Sequence, residues 1–507
     1  MIDLTLVAAF VLYGIASGWH ARVQASKSLD EYFLAGRTLP GWQAGTSMAA
    51  TQFAADTPLL VTGLVATAGV FALWRLWIYG LAFLAMGFVF AALWRRAGVL
   101  TDAELTQVRY SGRGVLPLRL LKSVYYGTVI NCVVLAMVLV AAMRIAEVFL
   151  PWHLWLPAPL YDAMLGLVRA TGLRLGNSVT GLAAEITAAN NAISILLMLA
   201  FTAAYSIAGG LRAVVRTDVV QFAVAMAGTA LYAWFVLDAA GGIAALPARL
   251  SAIYGAAQAD RFLSFGPPGG TGELLMPFLV LIGLQWVFQM NSDGTGYLAQ
   301  RAMACRSERD ARGAPVLFAW LQVFLRSLLW LAIALGLLVL YPFATADMGD
   351  AALAAAREMT FVRGIDELLP PGVRGLMLIG LLAALAAWFI SLLFGAGMGS
   401  VLVLRRLWER INLYSEMAAM AVSLVTAPLL LYFLGTDPQQ EWIRLGLMAL
   451  VTTGAAVLAA CFGPGTADAT LKDFYARVRP IGWWGHAARL CGEPAHVPVH
   501  ALVVMSQ

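Results

Sequence analysis

The chain has 507 residues, of which 61% are apolar and only 12% are charged, whereas charged residues make up about 25% of an average soluble domain. Apolar stretches such as residues 76–94 are long enough to cross a hydrocarbon core of about 30 Å. The composition therefore excludes a soluble globular protein, and the long apolar stretches, which do not alternate with polar residues, exclude a transmembrane β-barrel.

Hydropathy predicts about eleven membrane-spanning helices, with no soluble domain between them. In chain order the predicted spans are 2–20, 41–66, 70–94, 119–150, 190–209, 217–240, 272–293, 315–342, 372–404, 414–434 and 441–463. The first span lacks the basic residues of a cleavable signal peptide, so we expect it to remain as an N-terminal helix. The sequence thus predicts an all-α polytopic membrane protein.

Lysine and arginine residues indicate how the predicted spans are oriented. They concentrate in alternate segments, namely 21–40, 95–118, 210–216, 294–314, 405–413 and 464–507. Because cytoplasmic loops carry an excess of Lys and Arg, we expect these segments and the C-terminus to be cytoplasmic and the N-terminus to be outside. The net charge of +5 is explained by these loops and does not indicate nucleic acid. We expect no stable fold in the tail, 464–507, and a short interfacial helix in 151–189.

The ten spans after the first helix divide into two sets of five. The sets cover residues 41–240 and 272–463, with an outer loop at 241–271 between them and residues 1–40 before them. Because five is odd, the second set enters the membrane from the opposite side, so the sets would be inverted repeats if they are repeats. Secondary transporters commonly have inverted repeats, and their binding site lies near mid-membrane on interrupted helices.

The first helix of each set carries residues that favour a break. In the first set, ATQFAADTPLLVTG at 50–63 places Asp56 and Pro58 inside an apolar span, and an intramembrane carboxylate is costly and usually functional. In the second set, residues 291–296 read NSDGTG. We therefore predict a break in both helices. A proline-kinked structural helix is the alternative for the first, and an ordinary cytoplasmic loop is the alternative for the second.

Five motifs resemble the sodium:solute symporter family, which includes relatives of the sodium/proline and sodium/glucose cotransporters. They are SLDEYFLAGRTLPGW (28–42), GTSMAATQFAADTPLLVTG (45–63), RRAGVLTDAELTQVRYSG (95–112), AYSIAGGLRAVVRTDVVQF (204–222) and WERINLYSEMAAM (408–420). The form ADTPLLVTG is similar to a bacterial branch of the family.

The resemblance implies a five-plus-five inverted-repeat, LeuT-like transporter core with one extra N-terminal helix. It implies a secondary active transporter, in a bacterial inner membrane, that carries a small polar organic solute with sodium by alternating access. The implied cofactor is a sodium ion, and the implied partners are the solute and the lipid bilayer. No enzyme activity is implied.

The implied sodium site lies between the first core helix, 41–66, and the eighth, 372–404. Its implied ligands are the backbone carbonyls of Ala50, Phe53 and Ala387 and the hydroxyl of Ser391. The family usually has a second hydroxyl where this chain has Ile390, so one ligand is missing and tight coupling to sodium is put in doubt. Arg406 is a second departure, because relatives often carry an acidic residue there.

The candidate solute-binding residues are Gln52, Asp56, Thr57, Trp77, Gln285, Trp286 and Gln289. The resemblance implies the first three, and the others are polar and aromatic residues of the second and sixth core helices. Gln285 and Gln289 are four residues apart and share one helix face, which faces inward because unsatisfied amides are costly in lipid. An ionised Asp56 would favour a cationic or zwitterionic amine. Proton uptake and helix capping are the open alternatives for this residue.

Two arginines, Arg144 and Arg326, lie inside predicted spans. We expect Arg144 to pair with Glu147 on the same helix. We expect Arg326 to pair structurally or to snorkel, and a functional role is the open alternative. The alternative to sodium symport is a proton-coupled or uncoupled transporter, or a solute sensor, with a degraded sodium site. An enzyme is not supported, because the chain has no HExxH motif and no nucleophile elbow.

Overall fold

The computed structural model is all-helical in the part of the chain that it describes, as the composition predicts. The described residues are 2–53, 56–125, 128, 132, 139, 143, 145–175, 180–266, 275–288, 293–343, 350–382, 389–435 and 440–494. Among them no strand is formed, and two isolated β-bridges join Leu39 to Cys305 and Trp408 to Trp483.

The helices of the first half follow one another along the chain. They are α1 (Ile2–Ala25), α2 (Leu29–Leu34), α3 (Gly41–Thr51), α4 (Asp56–Ala68), α5 (Val70–Ala97), α6 (Asp102–Arg109), α7 (Val115–Val124), α8 (Ala158–Thr171), α9 (Ala184–Ala239), α10 (Leu246–Tyr254) and α11 (Ala256–Leu263). The second half contains α12 (Leu275–Phe288), α13 (Tyr297–Met303), α14 (Glu308–Leu340), α15 (Asp350–Leu368), α16 (Val373–Leu382), α17 (Phe389–Leu407), α18 (Leu413–Leu434), α19 (Glu441–Phe462), α20 (Asp468–Val478) and α21 (Gly485–Leu490).

Seven helical segments in the described part of the chain are long and apolar enough to cross a membrane. They are Ile2–Ala25, Val70–Ala97, Ala184–Ala204, Ser206–Ala239, Glu308–Leu340, Leu413–Leu434 and Glu441–Phe462. Two of these segments belong to α9, which is kinked at Gly210. Each of the seven overlaps a span predicted from hydropathy. Of the other predicted spans, 41–66 is divided between α3 and α4, and 119–150, 272–293 and 372–404 include residues outside the described ranges. The count of eleven therefore stays a prediction.

The predicted break in the first core helix is present. Helix α3 ends at Thr51, and α4 begins at Asp56. The last turn of α3 is closed by the Phe53 N–H, which donates to the Ala50 carbonyl at 3.0 Å. This three-residue bond tightens the helix end where a continuing helix would need a bond to residue 49.

The chain is also non-helical at residues 293–296, after the sixth core helix. The break predicted there and its alternative, a cytoplasmic loop at the helix end, both stay open. Helix α12 ends at Phe288 and the chain is helical again from Tyr297. Between them Gly294 and Gly296 have φ angles of 85° and 84°, a region that glycine enters without the steric cost that a Cβ imposes. The glycines of the NSDGTG motif thus turn the chain between two helical pieces.

Helix α3 is held against α14 by a pair of glycines. A Cβ on Gly41 would lie 2.7 Å from the carbonyl oxygen of Asp310, and a Cβ on Gly45 would lie 2.5 Å from that of Ala314. The two glycines are four residues apart, so they form one small-residue face on which the neighbouring helix approaches closely. This contact fixes the half of the first core helix that leads into the break.

The C-terminal segment differs from the sequence expectation, because residues 468–490 include two packed helices where no stable fold was expected. Leu471 and Phe474 of α20 are buried with Trp484, in one apolar cluster with Trp94 at the end of α5. The Trp484 indole donates to the Arg406 carbonyl at 3.0 Å. The expectation was wrong because a few spaced apolar and aromatic residues suffice to cover the ends of α5 and α17.

The close contact at Gly45 predicts that two glycine-to-alanine substitutions differ in their effect on stability. Gly45→Ala overpacks the α3–α14 crossing and should destabilise the protein by about 1–3 kcal/mol, lowering the midpoint of thermal unfolding in detergent. Gly446→Ala on α19 is the control, because a Cβ there meets no atom within 4 Å. Equal midpoints for the two variants would contradict the close approach.

Candidate functional site

The predicted sodium ligands of the first core helix lie at its break. Ala50 and Phe53 are buried in the main apolar core, at the last turn of α3. On the eighth core helix, Ile390 and Ser391 are in the first turn of α17, but their side chains lie outside the described part of the structure. Ala387 lies outside it altogether. The full sodium-ligand set therefore stays a prediction.

The candidate solute residues of the first core helix flank the same break. Gln52 caps the end of α3 and is half-buried, and Thr57 is half-buried near the start of α4. Asp56 is the first residue of α4, and its side chain is outside the described part of the structure. Gln52 and Thr57 thus lie at the two helix ends on either side of the break.

The second and sixth core helices meet through candidate residues. The Gln285 amide on α12 donates to the Tyr79 hydroxyl on α5 at 2.7 Å, and Gln285 is buried. The inward orientation expected for Gln285 is therefore confirmed. Trp286 is partly buried and packs against the main core. Gln289, its predicted companion on the same face, lies outside the described residues.

Trp77 links the second core helix to the seventh. Its indole N–H donates to the Ser327 hydroxyl on α14 at 2.5 Å, and its ring stacks on Phe265 at 5.9 Å between centroids. The indole N–H of Trp77 is thus directed at Ser327, the residue that follows Arg326.

Arg326 lies beside the break, a position that the sequence did not indicate. It is 1% exposed, so the snorkelling expected as one of two outcomes is wrong. Its guanidinium lies 3.4 Å from the carbonyl oxygen of Ala49, 5.5 Å from the Phe53 ring centroid and 4.6 Å from that of Trp330. It ends a π-helical turn, Leu321–Arg326, and such turns frequently occur at functional sites. A positive charge is therefore fixed beside the break.

A buried polar cluster lies one turn before the break. The Ser47 hydroxyl donates to Asp218 Oδ2 on α9 at 2.5 Å. Arg301 on α13 donates from Nη2 to the same carboxylate oxygen at 3.4 Å and to the Thr51 hydroxyl at 3.1 Å. The signal for this cluster was in the sequence, since Asp218 stands inside a predicted span, but its partners are contributed by other helices.

The expected pairing of Arg144 with Glu147 stays a prediction, because Arg144 lies outside the described residues. Glu147 itself accepts hydrogen bonds from the backbone N–H and the hydroxyl of Thr180, at 3.1 and 3.0 Å. It thereby anchors the segment that leads into α9.

Comparison with known proteins finds similarity over most of the chain. The model of the sodium:solute symporter family matches residues 32–172 and 178–466. A sodium/glucose cotransporter of Vibrio parahaemolyticus is 26% identical over 401 residues, which are 77% of this chain and 66% of that protein. Sodium/glucose cotransporter 4 of Danio rerio is 23% identical over 433 residues, covering 81% of this chain and 58% of that protein. The chain thus spans less than two thirds of the length of these relatives.

A solved structure supports the fold. A substrate-bound, outward-open Na⁺-coupled sialic acid symporter superposes with a TM-score of 0.59 at 15% identity, and the match covers 92% of this chain and 99% of that one. This similarity confirms the prediction of a LeuT-like helical transporter fold.

We expect substitutions of Asp218 and Arg301 to be non-additive in their effects on stability. Asp218→Leu and Arg301→Met each leave an uncompensated buried charge, and each should destabilise the protein by about 3–5 kcal/mol. The double variant should lose less than the sum of the two, as measured from thermal unfolding midpoints.

The exposed pair Arg169–Glu185, with side chains 60% and 54% exposed, provides the matched control. Exposed pairs contribute about 0–1 kcal/mol, so the same cycle at Arg169 and Glu185 should be close to additive. Additivity at Asp218 and Arg301 would show that the two side chains do not interact.

Proposed function

The chain belongs to the sodium:solute symporter family, and on that premise we propose that it is a secondary active transporter for a small polar organic solute, driven by sodium through alternating access. The observation that supports this proposal is the interruption of the first core helix between Thr51 and Asp56. Interrupted helices in transporters release backbone groups that bind the ion and the solute.

In this proposal the sets 41–240 and 272–463 are inverted repeats that move relative to each other around the break. Residues 1–40 form an N-terminal helix and inner loop before the first set, the outer loop 241–271 connects the two sets, and 464–507 forms the cytoplasmic tail. The location is a bacterial inner membrane with the N-terminus outside. The excess of Lys and Arg in alternate loops supports this orientation.

The proposed solute cavity lies between the break and the aromatic surface of the second core helix. Gln52, Asp56 and Thr57 would bind polar groups of the solute, together with Gln285 and Gln289. Trp77 and Trp286 would pack against its apolar face. Because the similar proteins carry the names of glucose and sialic acid transporters, hexoses and sugar acids are the first solutes to test, followed by amino acids.

The proposed ion site uses oxygen atoms from two helices. The carbonyls of Ala50, Phe53 and Ala387 and the hydroxyl of Ser391 would bind sodium, which is a hard cation that prefers oxygen. Ile390 supplies no oxygen. We therefore propose a site with one ligand fewer than the family usually has, and a correspondingly high sodium requirement.

A second candidate function is solute transport with weak or no coupling to sodium, and Arg326 favours it. Its buried guanidinium is beside the Ala49 carbonyl and the Phe53 ring, so a fixed positive charge adjoins the proposed ion site. Two like charges at such distances inside a protein repel each other. A fixed cation here would thus lower the affinity for sodium.

Uptake into proteoliposomes separates these candidates. The purified chain would be reconstituted, and uptake of labelled hexoses, sugar acids and amino acids would be measured with an inward sodium gradient, with an inward proton gradient and with neither. Sodium symport predicts accumulation only with sodium. Accumulation driven by protons alone, or uptake that ignores both gradients, would favour the second candidate and contradict the first.

Two substitutions on the eighth core helix test the proposed ligands. Ser391→Ala should abolish sodium-dependent uptake, and Ile390→Ser should lower the sodium concentration for half-maximal uptake several-fold because it restores a hydroxyl. Ser400→Ala is the control, since Ser400 lies farther along α17 and its hydroxyl bonds to Thr453 at 2.6 Å. If Ile390→Ser and Ser391→Ala both match this control, the ligand assignment is wrong.

Arg326→Gln tests the influence of the fixed charge. Removing a buried positive charge beside the proposed ion site should lower the half-maximal sodium concentration several-fold, while the glutamine amide can still donate toward Ala49. The readout is the sodium dependence of initial uptake rates, with Arg357→Gln as a control at a second buried arginine that donates to the carbonyls of Tyr341 and Leu337. The proposed repulsion would be refuted if the half-maximal sodium concentration of Arg326→Gln were unchanged or higher than that of the unmodified protein.

A further inference from the structure

A cluster of buried ion pairs lies on the side of the molecule that the loop charges assign to the cytoplasm. At its centre is Arg405 in the last turn of α17. Its Nη2 donates to Asp102 Oδ1 at 2.7 Å and to Asp293 Oδ2 at 2.8 Å. Its Nη1 donates to Glu416 Oε1 at 3.3 Å. Lys122 completes the cluster, with Nζ at 3.0 Å from a carboxylate oxygen of both Asp102 and Glu416.

The cluster is buried, and each of its ion-paired groups has a charged partner, although Nε of Arg405 has no hydrogen-bond partner in the described part of the chain. The side chains of Arg405, Lys122, Asp293 and Glu416 are at most 1% exposed. Hydroxyl groups complete it, since Tyr110 donates to Glu416 at 2.7 Å and Lys122 donates to Thr106 at 3.1 Å. Burial alone would raise the pKa of the Asp102 carboxyl, but the charges of Arg405 and Lys122 outweigh it and hold that pKa below its usual value. The carboxylate therefore stays charged near neutral pH.

These ion pairs join the two halves of the core. Asp102 on α6 and Lys122 on α7 belong to the first set of helices. Asp293, between α12 and α13, Arg405 on α17 and Glu416 at the start of α18 belong to the second. The halves cannot separate on this side while the cluster is intact.

Arg406 is the neighbour of Arg405 and has a contrasting environment. It is fully buried, and its guanidinium carbon lies 4.0 Å from the centroid of the Trp94 ring. Within the described part of the chain, none of its three side-chain nitrogens has a hydrogen-bond partner. Successive residues of a helix point about 100° apart, so the two arginines leave α17 in different directions.

The charge balance connects Arg406 with the cluster. Asp102, Asp293 and Glu416 carry three negative charges, whereas Arg405 and Lys122 carry two positive ones. Two further buried arginines adjoin the cluster. Arg109 donates to backbone carbonyls, among them those of Arg405 and Ile411, whereas Arg406 makes no hydrogen bond to these carboxylates. A buried guanidinium without an acceptor destabilises the state that contains it. Arg406 is therefore a buried cation near carboxylates that are already paired with Arg405.

We propose that the Arg405 cluster closes the inner side of the transporter, and that Arg406 replaces Arg405 at the carboxylates when α17 turns and that side opens. The proposal rests on alternating access as the proposed function. Breaking buried ion pairs without a replacement would leave several charges unpaired. A second arginine at the adjacent position provides the replacement.

Hydrogen–deuterium exchange of the purified full chain tests whether Arg406 replaces Arg405 at the carboxylates. The measurement needs neither a solute nor a sodium gradient. In Arg405→Leu, exchange in α6 and α13 should be several-fold faster than in the unmodified protein. Arg406→Leu should leave exchange there unchanged or slower, and should raise the midpoint of thermal unfolding, because it removes an unpaired buried charge. Arg113→Leu, at an exposed position near α7, should match the unmodified protein.

The double variant gives the specific signature. If Arg406 replaces Arg405, then Arg406→Leu is stabilising when Arg405 is present and destabilising when Arg405 is absent, so the double variant should exchange faster than Arg405→Leu alone. The same sign in both backgrounds, or faster exchange in Arg406→Leu alone, would overturn the proposal. Should Arg405→Leu not fold, Arg405→Met provides the second background, since its longer unbranched side chain fills more of the space that the arginine occupies. Failure of sodium-driven uptake would leave these results unaffected and would count only against the proposed function.

Discussion

A helix that is interrupted inside apolar surroundings must find polar partners for the backbone groups that it releases, because neither lipid nor apolar side chains can supply hydrogen bonds. The rest of the structure depends on this constraint at the break between Thr51 and Asp56. Phe53 closes the last turn of α3, the Arg326 guanidinium approaches the carbonyl of the preceding turn, and the Asp218–Arg301 pair holds the hydroxyls of Ser47 and Thr51. The break is thus surrounded by fixed charges and donors.

Those fixed charges bear on the sodium affinity of the proposed transporter. Arg326 places a cation where an ion is proposed to bind, and Ile390 removes an oxygen ligand from the opposite helix. Both changes weaken sodium binding, so the chain would need a high sodium concentration or would move its solute with little coupling. On the inner side, ion pairs centred on Arg405 and the packed helices α20 and α21 cover the ends of α5 and α17. The proposed transporter would therefore combine a weak ion site with a strong closure on the side that the loop charges assign to the cytoplasm.

Features whose cause is local could be predicted from the sequence. Pro58 and the glycines of NSDGTG disfavour a continuous helix through their own backbone chemistry. Helix α3 ends before Pro58, and the chain is non-helical at Gly294 and Gly296. Partners of buried charges could not be predicted. Arg405 and Asp102 are separated by 303 residues, and Arg326 and Ala49 by 277. Only the folded chain brings such residues together. The tail was misjudged for a similar reason, since Phe474 and Trp484 are buried by a surface that distant helices create.

Direct binding of radioactive sodium to the purified protein tests the central claim that the break holds an ion. The account predicts saturable binding that excess unlabelled sodium displaces and potassium does not, that Ser391→Ala abolishes and that Ile390→Ser strengthens. Absence of saturable binding in the unmodified chain and in Ile390→Ser, with folding verified by an unchanged thermal midpoint, would contradict it.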